Sequence, residues 1–212
     1  MVSRRKATSA EVAADRRKQI LKAAVEVFAD RGFHRTRVSD IAKQAGVAYG
    51  LIYHYFDSKD HVLNCVFDEN WAVFLKVIEG FRADPDRSAP DKLKGISALL
   101  IDALEVAPST IQVLIQEVAR SDRFVQTEKI RAFNAAFSVV RSIIESGQTA
   151  GDIKAEIDPE VAAYAFFGAL ETICTGFMLK TEPFSDQRHM ERVKATVNQM
   201  MLTGLCRTVE SP

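Results

Sequence analysis

The chain holds little of what would lock a fold from outside. Only three of its 212 residues are cysteine, Cys65, Cys174 and Cys206, an odd number with no C-x-x-C pair. That excludes a disulfide scaffold and points to a reducing compartment, so a cytoplasmic protein is expected. Ten glycines and six prolines exclude a collagen-like or low-complexity chain, and a hydrophobic share of 47% excludes disorder for want of a core. No apolar run approaches the roughly 18 to 20 residues of a bilayer span. Met1 to Lys6 leads into Ser9-Ala10-Glu11 and not into an apolar stretch, so neither a membrane partner nor a signal peptide is expected. G-x-S-x-G, H-E-x-x-H, P-loop and G-x-G-x-x-G patterns are absent too, and His34, His54, His61 and His189 have no ligand-like neighbours in the sequence. No enzyme, cofactor or metal site is expected.

An excess of charge is also missing: 28 Lys and Arg balance 28 Asp and Glu. The balance hides a segregation, because residues 1–60 carry 12 basic and 7 acidic residues and the remainder 16 basic and 21 acidic. A basic N-terminal part on an acidic body suggests that one part meets a polyanion and the other does not.

The hydrophobic periodicity is helical throughout, which predicts an all-α fold of about nine helices. A first helix starts near Glu11 with Thr8 or Ser9 as cap, buries Ile20, Leu21, Ala24, Val27 and Phe28, and ends at Gly32 in a left-handed conformation. Thr36 is placed to cap a second helix with Val38, Ile41, Ala42 and Ala45 inward, which stops at Gly46. A third runs from Ala48 to Phe56, and a fourth from Lys59 to about Phe81. After the loop-like Ala83 to Pro90, helices are expected at 91–106, 108–120, 127–149, 158–180 and 186–206, punctuated by Pro108, Gly147, Gly151, Pro159 and Pro183.

Helices joined by the tight turn Ala45-Gly46-Val47 have the form of a helix-turn-helix. With Ile41, Val47, Ile52 and Phe56 facing a small core, Ala48, Tyr49, Gly50, Leu51, Tyr53, His54 and Tyr55 are left outward, an odd run for a solvated face and a suitable one for a major groove. The first residues of such a helix reach base edges and later ones reach phosphates. Ala48, Tyr49 and Gly50 are therefore the candidate base readers. Tyr53, His54, Tyr55, Lys59, Thr36 and Arg37 are candidate phosphate contacts, and Ser39 is placed to reach the groove edge.

The segments Thr36-Arg37-Val38-Ser39-Asp40-Ile41-Ala42-Lys43-Gln44-Ala45-Gly46-Val47 and Leu51-Ile52-Tyr53-His54-Tyr55-Phe56-Asp57-Ser58-Lys59-Asp60 closely resemble the DNA-binding domain of the TetR/AcrR family of bacterial transcriptional regulators. The likeness covers about residues 14–74, with the helix-turn-helix at about 37–56. It implies a homodimer on a palindromic double-stranded DNA operator, with residues 75–212 forming an effector-binding and dimerisation domain. The implied function is a repressor released by a small effector. A helical lipid-binding protein with no DNA role is the alternative, and the intact helix-turn-helix disfavours it. The basic arm Met1–Lys6 either follows the DNA or is a solubilising tail.

In the body, Phe74, Ile78, Leu100, Leu104, Ile111, Ile115, Phe133, Phe137, Phe166 and Leu170 are the candidate lining of an effector cavity. The ionisable residues of these helices are few and read as mostly outward, which favours an apolar or lipid-like effector over a charged one. Gln116-Glu117-Val118-Ala119-Arg120-Ser121-Asp122 looks loosely like family members that sense fatty acids or acyl-CoA. The helix from 158 is apolar nearly all round, so one face suits the core and the other a second subunit. Ala162, Ala169, Thr172 and Ile173, with Val193, Val197, Met200 and Met201 of the last helix, are the candidate dimer interface.

Overall fold

The computed structural model describes residues 8–119, 127–179 and 187–206. They form nine helices: α1 (Ser9–Arg31), α2 (Val38–Ala45), α3 (Tyr49–Tyr55), α4 (Lys59–Ala83), α5 (Ala89–Val106), α6 (Pro108–Ala119), α7 (Thr127–Ala150), α8 (Pro159–Met178) and α9 (Gln187–Leu205). The chain divides into two compact units between Asn70 and Trp71, so that α4 starts in one and ends in the other. The arm Met1–Lys6, Pro183 and residues 120–122 lie outside the described residues, as do the side chains of Ser9, Ile130 and Ala132.

In the first unit, Thr8 caps α1 in a reciprocal box: its backbone N–H donates to Glu11 and its hydroxyl accepts from the Glu11 N–H. Those bonds hold the Glu11 carboxyl below its usual range. Gly32 closes α1 with φ 73° but ψ 157°, so its positive φ is extended backbone and not the left-handed helical form expected. Gly46 does take that form, with φ 63° and ψ 36°, as the short turn to α3 requires. The Gln19 amide donates to the Ala45 carbonyl at 2.6 Å, closing the end of α2 from α1. Ile20, Leu21, Ala24, Phe28, Ile41, Ala42, Ala45, Ile52 and Phe56 are buried.

Thr36 does not cap α2. Arg37 is the cap residue, and the Asp40 carboxylate reaches back to its N–H at 2.9 Å. Thr36 is only 2% exposed and its hydroxyl donates to the Gly32 carbonyl at 2.8 Å. The hydroxyl is turned back to the preceding turn, and the cap position itself falls one residue later, at Arg37.

The second unit packs α5, α7 and α8 around Leu93, Ile96, Ile101, Val140, Ile143, Ile144, Phe166 and Leu170. Helix α5 starts two residues before the expected position, because Ser88 caps it and Pro90 sits in its first turn, where no N–H partner is needed. Gly147 does not end α7, which runs on to Ala150, and Gly151 at φ 84° makes the stop. Gly147 instead permits a close approach, since a Cβ there would lie 2.5 Å from the Ala89 Cβ and 2.8 Å from the Ile153 side chain. Its carbonyl accepts from the Asp152 and Ile153 N–H groups, and Lys154 then donates to the Leu205 carbonyl, stitching the α7–α8 loop to the end of α9. By length and composition α8 would suffice to cross a membrane, against the expectation that no run would. Here its Ala162, Ala163, Phe166, Leu170 and Cys174 are buried, and burial pushes the Cys174 thiol up to about 11.

The Gly147 contact gives a direct test. Gly147→Ala forces Ala89, fixed on its own backbone, to move, and should cost about 1–3 kcal/mol in chemical denaturation. A measured cost near zero would show that α5 and α7 are not held this closely.

Candidate functional site

The candidate DNA-reading residues separate into two groups. Arg37, Ser39, Ala48, Tyr49, Gly50, Tyr53 and His54 are exposed on or beside α2 and α3. Tyr49 and Tyr53 are exposed by 53% and 47%, their rings meet edge-on at 5.3 Å, and their hydroxyl oxygens lie 3.0 Å apart. That hydrogen bond pushes the Tyr53 phenol above its ordinary pKa. A Cβ added to Gly50 would meet nothing within 4 Å, and its φ is not positive, so the fold itself places no demand for glycine there. The demand, if any, comes from something that approaches the helix from outside.

Thr36 and Lys59 form the second group, and both turn inward. The Lys59 ammonium donates to the Phe33 carbonyl at 2.7 Å and the Thr36 carbonyl at 2.9 Å, and lies 4.2 Å from the centre of the Phe33 ring. Together with the Thr36 hydroxyl it closes the turn between α1 and α2. In the chain without DNA both side chains thus shape the turn from which Arg37 and α2 emerge. Tyr55 is half-buried and its ring packs on His54 and Phe56, so of the three α3 tyrosines it is the packing one. Arg17, unnoticed in the sequence, pairs with Glu69 and lies over the Phe56 ring at 5.4 Å, bracing α1 against the end of α3 and the middle of α4. A basic residue on a basic segment carries no sequence signal of such a role.

The second unit contains a connected set of rings. Trp71 meets Phe133 at 4.6 Å and Phe74 at 5.3 Å, Phe74 meets Phe167 at 6.3 Å, and Phe167 meets Phe137 at 5.1 Å and Phe166 at 5.6 Å. Phe74, Leu100, Ile111, Ile115, Phe133 and Phe137 of the expected lining keep accessible surface. Ile78, Leu104, Phe166 and Leu170 are 2% exposed or less, so they are close-packed core and reach no open space. Trp71 and Phe167 belong to the ring set and were missed, Trp71 because it stands at the unit boundary and Phe167 because a helix apolar all round does not mark which face is inner. Glu117 on α6 is an exception to the mostly outward placing of ionisable groups in these helices, since it is buried.

The residues expected at the dimer face divide between the core and the surface of the unit. Ala162 and Val197 belong to the unit's own core, and Ile173, Val193 and Met201 pack on it. The exposed side chains of α8 include Val161, Tyr164, Ala165 and Thr172, and those of α9 include Met200, which is 77% exposed, while Ala169 is half-buried. The division follows from helix geometry, since neighbouring positions lie about 100° apart and an all-apolar helix gives no phase.

The family models agree with this arrangement. Residues 20–66 match bacterial regulatory proteins of the tetR family, and residues 67–204 match the C-terminal region of YsiA-like proteins. The chain belongs to the TetR family of bacterial transcriptional regulators. Its TetR-family relatives include a fatty acid metabolism regulator protein of Bacillus subtilis, 29% identical over 191 residues that cover 88% of this chain and 94% of the relative. The HTH-type transcriptional repressor KstR2 of Rhodococcus jostii is 29% identical over 69% of this chain and 72% of its own. Among solved structures, the regulator FadR of Bacillus subtilis in complex with stearoyl-CoA superposes with a TM-score of 0.77 at 27% identity, covering 88% of this chain and 98% of that one. FadR of Bacillus halodurans gives a TM-score of 0.80 at 26% identity over 96% and 100% of the two chains.

The inward turn of Lys59 separates two outcomes. Lys59→Met should lower the thermal stability of the chain by about 1–2 kcal/mol and leave the salt dependence of DNA binding unchanged. Arg37→Ala should leave stability unchanged and reduce the logarithmic salt slope by about 1. A fall in slope for Lys59→Met would return that ammonium to the phosphate contacts.

Proposed function

We propose that this TetR-family regulator is a repressor that holds a palindromic operator as a homodimer and is released by a long-chain acyl effector, either a fatty acid or its coenzyme A thioester. It works in the bacterial cytoplasm, binds its effector and performs no chemistry on it. The N-terminal domain, about 14–74, reads the DNA, with Arg37, Ser39, Ala48, Tyr49, Gly50, Tyr53 and His54 at the surface that meets it. The C-terminal domain, 75–212, binds effector and partner subunit.

The observation that carries this reading is the ring set. Trp71, Phe74, Phe133, Phe137 and Phe167 touch one another on α4, α7 and α8, yet each keeps accessible surface. Aromatic side chains that pack together and still keep accessible surface suit a flexible apolar guest. Relatives named for fatty acid metabolism, and a neighbour solved with stearoyl-CoA, support the same ligand class. Trp71 and Phe74 lie on α4, whose first residue, Lys59, closes the turn that leads to α2. An effector that binds more tightly to one position of α4 than another therefore shifts the population in which two α3 helices stand about one DNA turn, roughly 34 Å, apart.

Two measurements follow. Palmitoyl-CoA should displace the full-length protein from its operator in a gel-shift series and quench the fluorescence of Trp71, the sole tryptophan, over the same concentration range. Phe133→Ala should weaken both by about tenfold or more, consistent with an aromatic contact of this size. Displacement without any change at Trp71 would place the effector elsewhere. On the outward face of α8, Val161→Asp should yield a folded monomer by analytical ultracentrifugation with operator affinity lost, and a variant that remains dimeric would move the interface off that face.

A further inference from the structure

Within the first turn of α3, Tyr49-Gly50-Leu51-Ile52, the phenol of Tyr49 is the only polar side chain. Tyr53 lies one turn later on the same face. The two hydroxyls are 3.0 Å apart and both rings are exposed. A phenol carries one proton and accepts through its oxygen. In a bonded pair one hydroxyl therefore gives its proton to the other, and only the second keeps a proton to offer outside.

We infer that Tyr49 and Tyr53 act as one directional unit, in which a phosphate held at Tyr53 forces Tyr49 to be an acceptor, so that Tyr49 selects a base carrying an exocyclic amino group. A phosphate oxygen has no proton, so Tyr53 must donate to it. The Tyr53 oxygen then accepts from Tyr49, and the negative charge polarises the chain Tyr49 to Tyr53 to phosphate in that one direction. What Tyr49 has left to present is a lone pair. In the major groove adenine N6 and cytosine N4 donate, whereas guanine O6 and N7 and thymine O4 accept. On the strand that Tyr49 approaches, amino bases are thus favoured and keto bases repelled. His54 does not compete for the pair, since its ring stacks edge-on against Tyr55 at 5.1 Å.

This inference rests on the reading of α3 as the recognition helix, and one experiment separates the two. The full-length protein, Tyr49→Phe and Tyr53→Phe are each used to select binders from a random pool of double-stranded DNA, with thermal melts to confirm the fold. The wild-type chain should select a motif with one position restricted to adenine or cytosine. Tyr49→Phe should release that position and keep the rest of the motif. Tyr53→Phe should weaken binding about tenfold or more and also open the position to guanine and thymine, because Tyr49 regains a free proton. Retention of the restriction in Tyr53→Phe, a guanine or thymine preference at the position that Tyr49→Phe releases, or no released position at all would overturn the inference while leaving the DNA reading intact. Selection of no motif by the wild-type chain would overturn the DNA reading and the inference together.

Discussion

The closing of the turn between α1 and α2 is the constraint on which the reading head depends. Residues 32–36 run between two helices and leave backbone carbonyls without helical partners. The Thr36 hydroxyl takes the Gly32 carbonyl and the Lys59 ammonium takes those of Phe33 and Thr36. Unpartnered carbonyls in a half-buried turn would cost more than the bonds contribute when made. The chain meets that need partly with the local Thr36 hydroxyl and partly with a side chain from the first turn of α4. The direction in which α2 leaves the turn, and with it the placing of α3, is therefore referred to α4.

The second unit solves a similar problem by polar stitching. Ser97, almost fully buried, bridges the Lys94 carbonyl and the Asn198 side-chain amide at 2.9 and 2.7 Å, and Lys194 pairs with Asp102 at 2.5 Å, so α9 is registered against α5. The Gln148 amide donates to the Lys154 and Ile157 carbonyls and holds the α7–α8 loop. Lys194 keeps its charge more firmly than a free lysine because two carboxylates, Asp102 and Glu191, share it. These bonds tie α9 to α5 and fix the α7–α8 loop, and none of them crosses the ring set on α4, α7 and α8, which suits a region that must change shape around a guest.

Much of this was legible in the sequence, and the reason is local. Helix ends carry their own chemistry: Thr8 with Glu11, Gly46 and Pro159 each act within a few residues of themselves, so the nine helices of the described residues fall close to their expected bounds, and the Ser88 cap, read as loop, moves the start of α5 by only two residues. Orientation around a helix was legible where polar and apolar faces alternate, as in α2 and α3. It failed in α8, where Ala162 and Ile173 turned inward and Val161 and Tyr164 outward, because an apolar surface on every side leaves the phase to tertiary packing. The turn-closing bonds of Lys59 and Thr36 were hidden for the opposite reason. A lysine and a threonine on a basic segment read as ligands for an anion, and nothing in the spacing reveals that the ammonium also meets carbonyls 23 and 26 residues back in the chain. Gly147 reads only as punctuation near the end of its helix, although its lack of a side chain answers to Ala89 and Ile153, which the sequence does not place beside it.

The energetics of switching also constrain the effector. Driving an operator-competent population from 99 to 1 to its inverse takes about 5.5 kcal/mol of differential affinity, however tightly the ligand binds in total. Polar contacts supply this poorly, because hydrogen bonds exchanged with water net only about 1 kcal/mol each. A methylene removed from water contributes about 0.8 kcal/mol, so about seven methylenes buried in one conformer and exposed in the other are enough. A short branched acyl group has too few. A chain of palmitoyl or stearoyl length has twice the number needed, and can lose half of its contacts to imperfect fit and still move the equilibrium. The ring set, with its half-accessible Trp71, Phe74, Phe133, Phe137 and Phe167, is the place in the described chain where such a length of hydrocarbon finds aromatic surface on three helices at once.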